Sequence, residues 1–271
     1  MLGYLILGMF FLLIKQSGLM MTSFICCAGL CLFLKNSANT TLLLPAQTKE
    51  EIVEIVHFNM SSSNEDLNTS VGTILETDAD FISVQDVTPE WKYLLNETLG
   101  KKYPYYSSIE RLDPYGLAIF SKYPFIELDT FMTGQIPNLE GKIEVNQTEF
   151  RFIAGHTTPP LFSTAYSAMQ KQMSEFGERA AKIKEPLLMM GNFNAPPWWS
   201  EIQQLRQVAE LEDSRISASI GITDIFQSPT DYILFSKDLT CVGFTNIFTP
   251  NNDQFGIQGT YQLSSNLADV K

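Results

Sequence analysis

Positive charge, histidine and cysteine are all scarce in this chain, and each shortage excludes a class of function. Of its 271 residues, 18 are Lys or Arg against 30 Asp or Glu. No acidic residue precedes Glu50, and 16 of the 18 basic ones lie from Lys49 onward, so that part carries a net charge of -14. Nucleic-acid affinity draws largely on Lys and Arg displacing phosphate counterions. With no basic cluster to offset -14, DNA and RNA are not expected as partners. Cys26, Cys27 and Cys31 fall in an apolar N-terminal stretch, leaving Cys241 alone beyond it. A disulfide framework is therefore excluded for the rest of the chain. The two histidines, His57 and His156, are too few for a zinc set without paired cysteines. Internal repeats and low-complexity tracts are absent.

Apolar sequence is plentiful at the N-terminus. Leu2 to Ile14 is apolar throughout, Lys15-Gln16-Ser17-Gly18 interrupts it, and Leu19 to Leu34 is apolar again. A signal peptide fits this less well, because no charge precedes the first run and a second run follows it. The pattern predicts a transmembrane hairpin over 1–36, a polar linker over 37–50 and a domain over 51–271, with the bilayer as a partner. The single Lys in the turn places the turn in the cytoplasm and the domain on the extracytoplasmic, periplasmic side. Asn-x-Ser/Thr sequons occur at Asn39, Asn59, Asn68, Asn96 and Asn146; they matter only in a lumenal eukaryotic setting.

Beyond residue 50, short apolar runs alternate with helical periodicity. EIVEIVHFN, DFISVQDV, YGLAIFS, EFRFIAGH, EPLLMMGNFN, TDYILFS and TCVGFTNIF read as strands. Glu65 to Glu76, Pro89 to Leu95 and Thr164 to Lys184 read as helices. In the last, Ala165, Met169, Met173, Phe176, Ala180 and Ile183 recur every three or four residues, a stripe that packs into a core. Apolar strands separated by helices imply sheets buried beneath helices, α/β or α+β.

Taken in order, several of these segments resemble the endonuclease/exonuclease/phosphatase superfamily, which includes DNase I-like nucleases, inositol-phosphate phosphatases and sphingomyelinases. The likeness spans about 51 to 271. It implies an α/β fold, a four-layer α/β sandwich of two packed sheets flanked by helices. By the same likeness, Asn59 at the end of HFN is the Asn that organises the metal and phosphate site. Asp86 in VQDV stands where the family has a Mg²⁺-binding Glu. The strand YGLAIFSKYP matches one whose role is structural, with Tyr115 near enough in sequence to approach a phosphate. His156 in FIAGH matches the His that contacts the scissile phosphate.

Other positions depart from the pattern. In MMGNFNAPP, Asn192 replaces the family Asp that positions the attacking water, while Asn194 matches the second polar position. Asp231 in TDYILFS matches the Asp that orients a catalytic His. The last signature, Ser-Asp-His-Leu-Pro, has Ser264-Ser265-Asn266-Leu267-Ala268 as its nearest counterpart, which turns the metal-site Asp into Ser265 and the catalytic His into Asn266. An amide is neither acid nor base near neutral pH, and losing one general acid or base costs about 10²–10⁴-fold in rate. The expectation is thus a membrane-anchored pseudo-hydrolase in which Asn59, His156, Asn192, Asn194, Asp231 and Asn266 are vestigial site positions and Asp86 and Ser265 a vestigial metal site. It would act as a binding or assembly module with protein partners in a membrane complex. No cofactor is expected, Mg²⁺ only if activity survives. The alternative is a weak Mg²⁺-dependent phosphodiesterase or phosphatase acting on a lipid headgroup or small phosphodiester, with His57, two residues before Asn59 on the same strand face, as a substitute residue.

Overall fold

The structure, a computed structural model, describes residues 1–37, 52–60, 67–145, 148–215, 229–250 and 254–263. Two helices come first, α1 (Leu2–Leu13) and α2 (Ser17–Ser37). They form a hairpin whose turn carries Lys15 at φ 58° and whose helices meet closely at Gly8, where a Cβ would lie 2.6 Å from the Phe24 ring. The expectation of a membrane-spanning hairpin is not supported: no helix among the described residues is long and apolar enough to cross a membrane. The physical reason is length and composition. At 1.5 Å per residue α1 reaches only about 18 Å, against a hydrocarbon core of about 30 Å, and α2 opens on Ser17, Gly18, Thr22 and Ser23.

The remainder is a sandwich of two six-stranded sheets. The first sheet contains β1 (Val53–Asn59), β2 (Phe81–Gln85), β3 (Tyr105–Ile109), β4 (Leu117–Ser121), β11 (Leu239–Phe248) and β12 (Gln254–Leu263), in the order β11-β12-β1-β2-β4-β3. The second contains β5 (Phe125–Thr133), β6 (Ile136–Val145), β7 (Thr148–His156), β8 (Leu187–Asn192), β9 (Leu211–Asp213) and β10 (Asp231–Ser236), in the order β5-β6-β7-β8-β10-β9. In each sheet one central pair is parallel, β1 with β2 and β7 with β8. Parallel pairs need crossovers, which helices α3 (Leu67–Glu76) and α5 (Ser163–Ala180) supply. The remaining helices are α4 (Pro89–Leu99) and α6 (Ser200–Ala209). Thr88 caps α4 by accepting from the Trp91 N–H, and Pro89 occupies its first turn.

Three apolar clusters account for the layering. The faces between the sheets bury Ile55, Phe81, Ile119, Phe152, Met190, Ile233 and Ile257. The outer face of the first sheet buries Val56, Ile82 and Phe120 with Val71, Ile74, Leu95 and Leu99 of α3 and α4. The outer face of the second buries Ile153, Met189 and Tyr232 with Met169, Met173 and Phe176 of α5 and Ile202 and Leu205 of α6. Strands buried on both faces read as continuous apolar runs, as β2 and β8 do. The four-layer α/β architecture expected from the sequence is what is observed.

Candidate active site

Strand direction gathers the polar residues at one end of the sandwich. The parallel pairs end together, with Asn59 beside Gln85 and His156 beside Asn192. Strand β10 is antiparallel to β8, so its first residue, Asp231, stands opposite Asn192. In α/β sheets the carboxyl ends of parallel strands form the crevice where ligands bind. Just past two of these strand ends the backbone reverses through left-handed residues, Asp86 at φ 61° and Asn194 at φ 51°. Asp and Asn tolerate that region best among residues with a Cβ, and strain of this kind concentrates at functional sites.

Gln85 ties the sheets together at this end. Fully buried, its Nε2 donates to the Gly155 carbonyl at 2.8 Å and its Oε1 accepts from the Asn192 N–H at 2.7 Å. The second sheet is tight here: Gly191 adopts φ 151°, and a Cβ on it would fall 1.8 Å from the Gly155 carbonyl oxygen. Asn138 of β6, also fully buried, accepts from the His156 N–H at 3.1 Å.

Two imidazoles face two carboxylates. His156 Nδ1 lies 3.7 Å from Asp86 Oδ1, and His57 Nε2 lies 3.7 Å from Asp231 Oδ1. Both gaps exceed hydrogen-bond length, and His156 Nδ1, His57 Nε2 and Asp231 Oδ1 find no other hydrogen-bond partner among the described residues. The Tyr115 ring meets His156 edge to face, centroids 5.3 Å apart. Burial pushes the His156 imidazole down to about 4; Asp231 opposes the shift and His57 adds to it. His156 is therefore neutral near pH 7, able to donate one hydrogen bond and accept another. His57 contacts the Ser83 hydroxyl through Nδ1 at 3.2 Å and is fully buried, so it lies beside Asp231 without bonding it rather than at the crevice surface.

The amides are committed to scaffolding. Asn192 Oδ1 accepts from the Asn194 N–H at 2.9 Å, and its Nδ2 donates to Thr230 Oγ1 at 3.2 Å. Asn194 Nδ2 donates to the Thr157 carbonyl at 2.7 Å. Asn192 thus closes the turn after β8 and has no basic atom to offer.

The family likeness implies Mg²⁺, which takes oxygen ligands in near-octahedral geometry. Among the described residues no group of three His, Cys, Asp or Glu stands at ligand spacing, and the neighbour of Asp86 is an imidazole rather than a second carboxylate. That donor set does not fit an Mg²⁺ ion held by the protein alone.

Of the residues singled out in the sequence, Asn59, Asp86, His156, Asn192, Asn194 and Asp231 converge here. Ser265 and Asn266 lie outside the described residues. Strand β12 runs antiparallel to β1, with Gly256 opposite Phe58 and Tyr261 opposite Val53. The crevice end of β12 is therefore its start, Gln254, while Leu263 closes it at the far end of the sheet. A side chain delivered to the crevice by the last strand comes from around Gln254. Gln85 and Asn138 escaped the sequence reading. Gln85 could have been found from its place beside Asp86 in VQDV, whereas nothing in the sequence marks Asn138.

Comparison with known proteins agrees with this geometry. A model of the Endonuclease/Exonuclease/phosphatase family matches residues 56–252. No curated protein matches. Similar solved structures include an endonuclease/exonuclease/phosphatase family protein from Bacteroides thetaiotaomicron, with TM-score 0.62 and 14% identity over 80% of this chain and 100% of that one. A humanized D. rerio TDP2 gives TM-score 0.61 and 14% identity over 78% and 99%. The human Nocturnin catalytic domain with bound sulfate gives 0.59 and 14% over 79% and 95%. Identities this low establish shared fold alone. The family model covers most of the chain, and the chain belongs to the endonuclease/exonuclease/phosphatase family.

Proposed function

We infer that this chain is a membrane-associated, catalytically degenerate member of its family, a module that binds a phosphoester headgroup in the crevice and serves assembly within a membrane complex rather than turnover. The observation that carries this reading is Asn192: an amide stands where a water-positioning carboxylate is expected, and both its ends are occupied by the turn it closes. Gln254 at the crevice end of the last strand supports it, because a glutamine cannot exchange a proton near neutral pH. The neutral His156, at the crevice end of β7, carries a ring N–H that can serve as a donor for a phosphate oxygen. The hairpin supplies the membrane contact: Leu13, Ile25 and Leu32 are 79%, 65% and 62% exposed, and Lys15 and Lys35 are the only charged side chains before Lys49.

The test is phosphodiesterase activity on bis(p-nitrophenyl) phosphate with Mg²⁺ or Mn²⁺. The native chain is expected to be silent, and Asn192→Asp combined with Gln254→His to gain at least about a hundredfold over background, the lower end of what one acid or base contributes. A second reading, a weak Mg²⁺-dependent phosphodiesterase, draws on the pairing of His156 with Asp86. Native turnover abolished by Asp86→Ala would establish that reading and sink the first.

A further inference from the structure

The loops that frame the crevice have an unusual surface. Leu112 is 92% exposed, Leu161 83% and Phe162 64%. Leu112 belongs to the β3–β4 loop, which ends at the Tyr115 ring on His156 and is held by the Arg111 N–H donating to the Val87 carbonyl. Leu161 and Phe162 belong to the segment leaving His156. That segment is fastened to the loop after β8, where Thr157 Oγ1 donates to the Phe193 carbonyl at 2.6 Å and Asn194 Nδ2 donates back to the Thr157 carbonyl. The loop after β8 carries Trp198 and Trp199, both half-buried. Among the described residues these three loops thus form a rim along the crevice.

These three loops carry little of the charge that the rest of the domain has in excess, and Glu110 in the β3–β4 loop is paired with Lys92. No charged residue lies between His156 and Lys171 or between Asn192 and Glu201. In the third loop Arg111 and Asp113, on either side of Leu112, neutralise each other through a bidentate pair. A chain carrying -14 beyond its hairpin is repelled by an anionic surface but not by a neutral one, and aromatic side chains with one polar edge favour the membrane–water interface.

We propose that Leu112, Leu161 and Phe162 seat the crevice mouth on a zwitterionic phospholipid surface, their side chains entering the acyl boundary while the headgroup phosphate faces His156. This rests on the phosphoester-binding reading of the crevice. It adds a contact separate from the N-terminal hairpin and selects neutral over anionic membranes.

The test is amide hydrogen exchange of the full chain with and without phosphatidylcholine vesicles. Exchange at the Leu161 and Phe162 amides and at residues 111–113 is expected to slow at least about tenfold, as burial at an interface suppresses local opening. The effect should vanish in a Leu112→Ser, Leu161→Ser, Phe162→Ser variant while protection of α1 and α2 persists. Unaltered exchange in β2 and β8 checks that the variant is folded. Rim exchange unchanged by vesicles, equal protection in the variant, or rim protection arising without lipid from self-association would each overturn the proposal. Titration with soluble glycerophosphocholine, followed at the His156 ring resonances, separates the two readings: rim protection without a His156 response leaves the rim standing and removes the phosphoester-binding crevice.

Discussion

The two halves of the sandwich repeat one arrangement and differ at one place. The run β1-β2-β4-β3 in the first sheet and β7-β8-β10-β9 in the second share strand order, a parallel pair followed by two antiparallel strands. Each sends a polar residue into a left-handed reversal after its second strand, Asp86 in one and Asn194 in the other. The first half keeps a carboxylate at its reversal, held near an imidazole. The second half has amides at both Asn192 and Asn194, bonded into the turn. The lesson is that the hydrogen-bonded scaffold of such a site and its charge are separable: amides can preserve the first while the second disappears.

Perturbations at matching positions sharpen that contrast. The largest effect is expected from Gly191→Ala. Its Cβ would meet the Gly155 carbonyl oxygen at 1.8 Å in a backbone conformation that L-residues avoid, so a loss of about 4 kcal/mol or more is expected. Chemical denaturation is the readout, and a change under about 1 kcal/mol would show that the β7–β8 strands can part at no real cost.

Gln85→Leu comes next. It keeps the volume but strands the Asn192 N–H and the Gly155 carbonyl, each costing about 1–3 kcal/mol when left unsatisfied. Loss of stability accompanied by faster exchange at the Asn192 amide would confirm that this side chain couples the halves.

A pH effect of comparable size belongs to His156. Its folded value near 4 lies below the ordinary 6.5, so the unfolded chain takes up the proton first. Its contribution is fully present above about 6.5 and is lost as pH falls from there towards 4, amounting to up to about 3 kcal/mol at the acid end. His156→Gln should flatten the stability profile across that window; identical slopes for both proteins would rule the burial effect out.

The smallest change is expected from Asn192→Asp. It reverses the bond to Thr230 Oγ1, whose hydroxyl must now donate, and places a charge across from Asp231, at a cost of about 1–2 kcal/mol. If millimolar Mg²⁺ recovers that loss in the variant but leaves the native chain unaffected, the missing carboxylate is what separates this crevice from a metal site.

Much of the sandwich was legible because its central strands are buried on both faces, so β2, β4, β8 and β10 appear as apolar runs with little competing signal. Strand β5 was not, because its side chains are largely exposed along an edge, and β6 escaped with it. The convergence of Asn59, Asp86, His156, Asn192, Asn194 and Asp231 was legible only through family likeness, since they come from five different strand ends. The approach of His57 to Asp231 depends on how two sheets stack, which strand periodicity does not encode. Strand β12 was not read at all, because glycines and glutamines interrupt its apolar residues, and its crevice end follows only from pairing with β1.

Gln85 reaches both sheets at the mouth of the crevice, and this fixes its width before anything enters. A cleft held open by an internal strut spends little of a ligand's affinity on ordering its walls. It can also exchange one ligand chemistry for another through substitutions on the rim or floor without refolding. That makes the strut, rather than any residue that touches the ligand, the part of this molecule that sets the shape of the crevice.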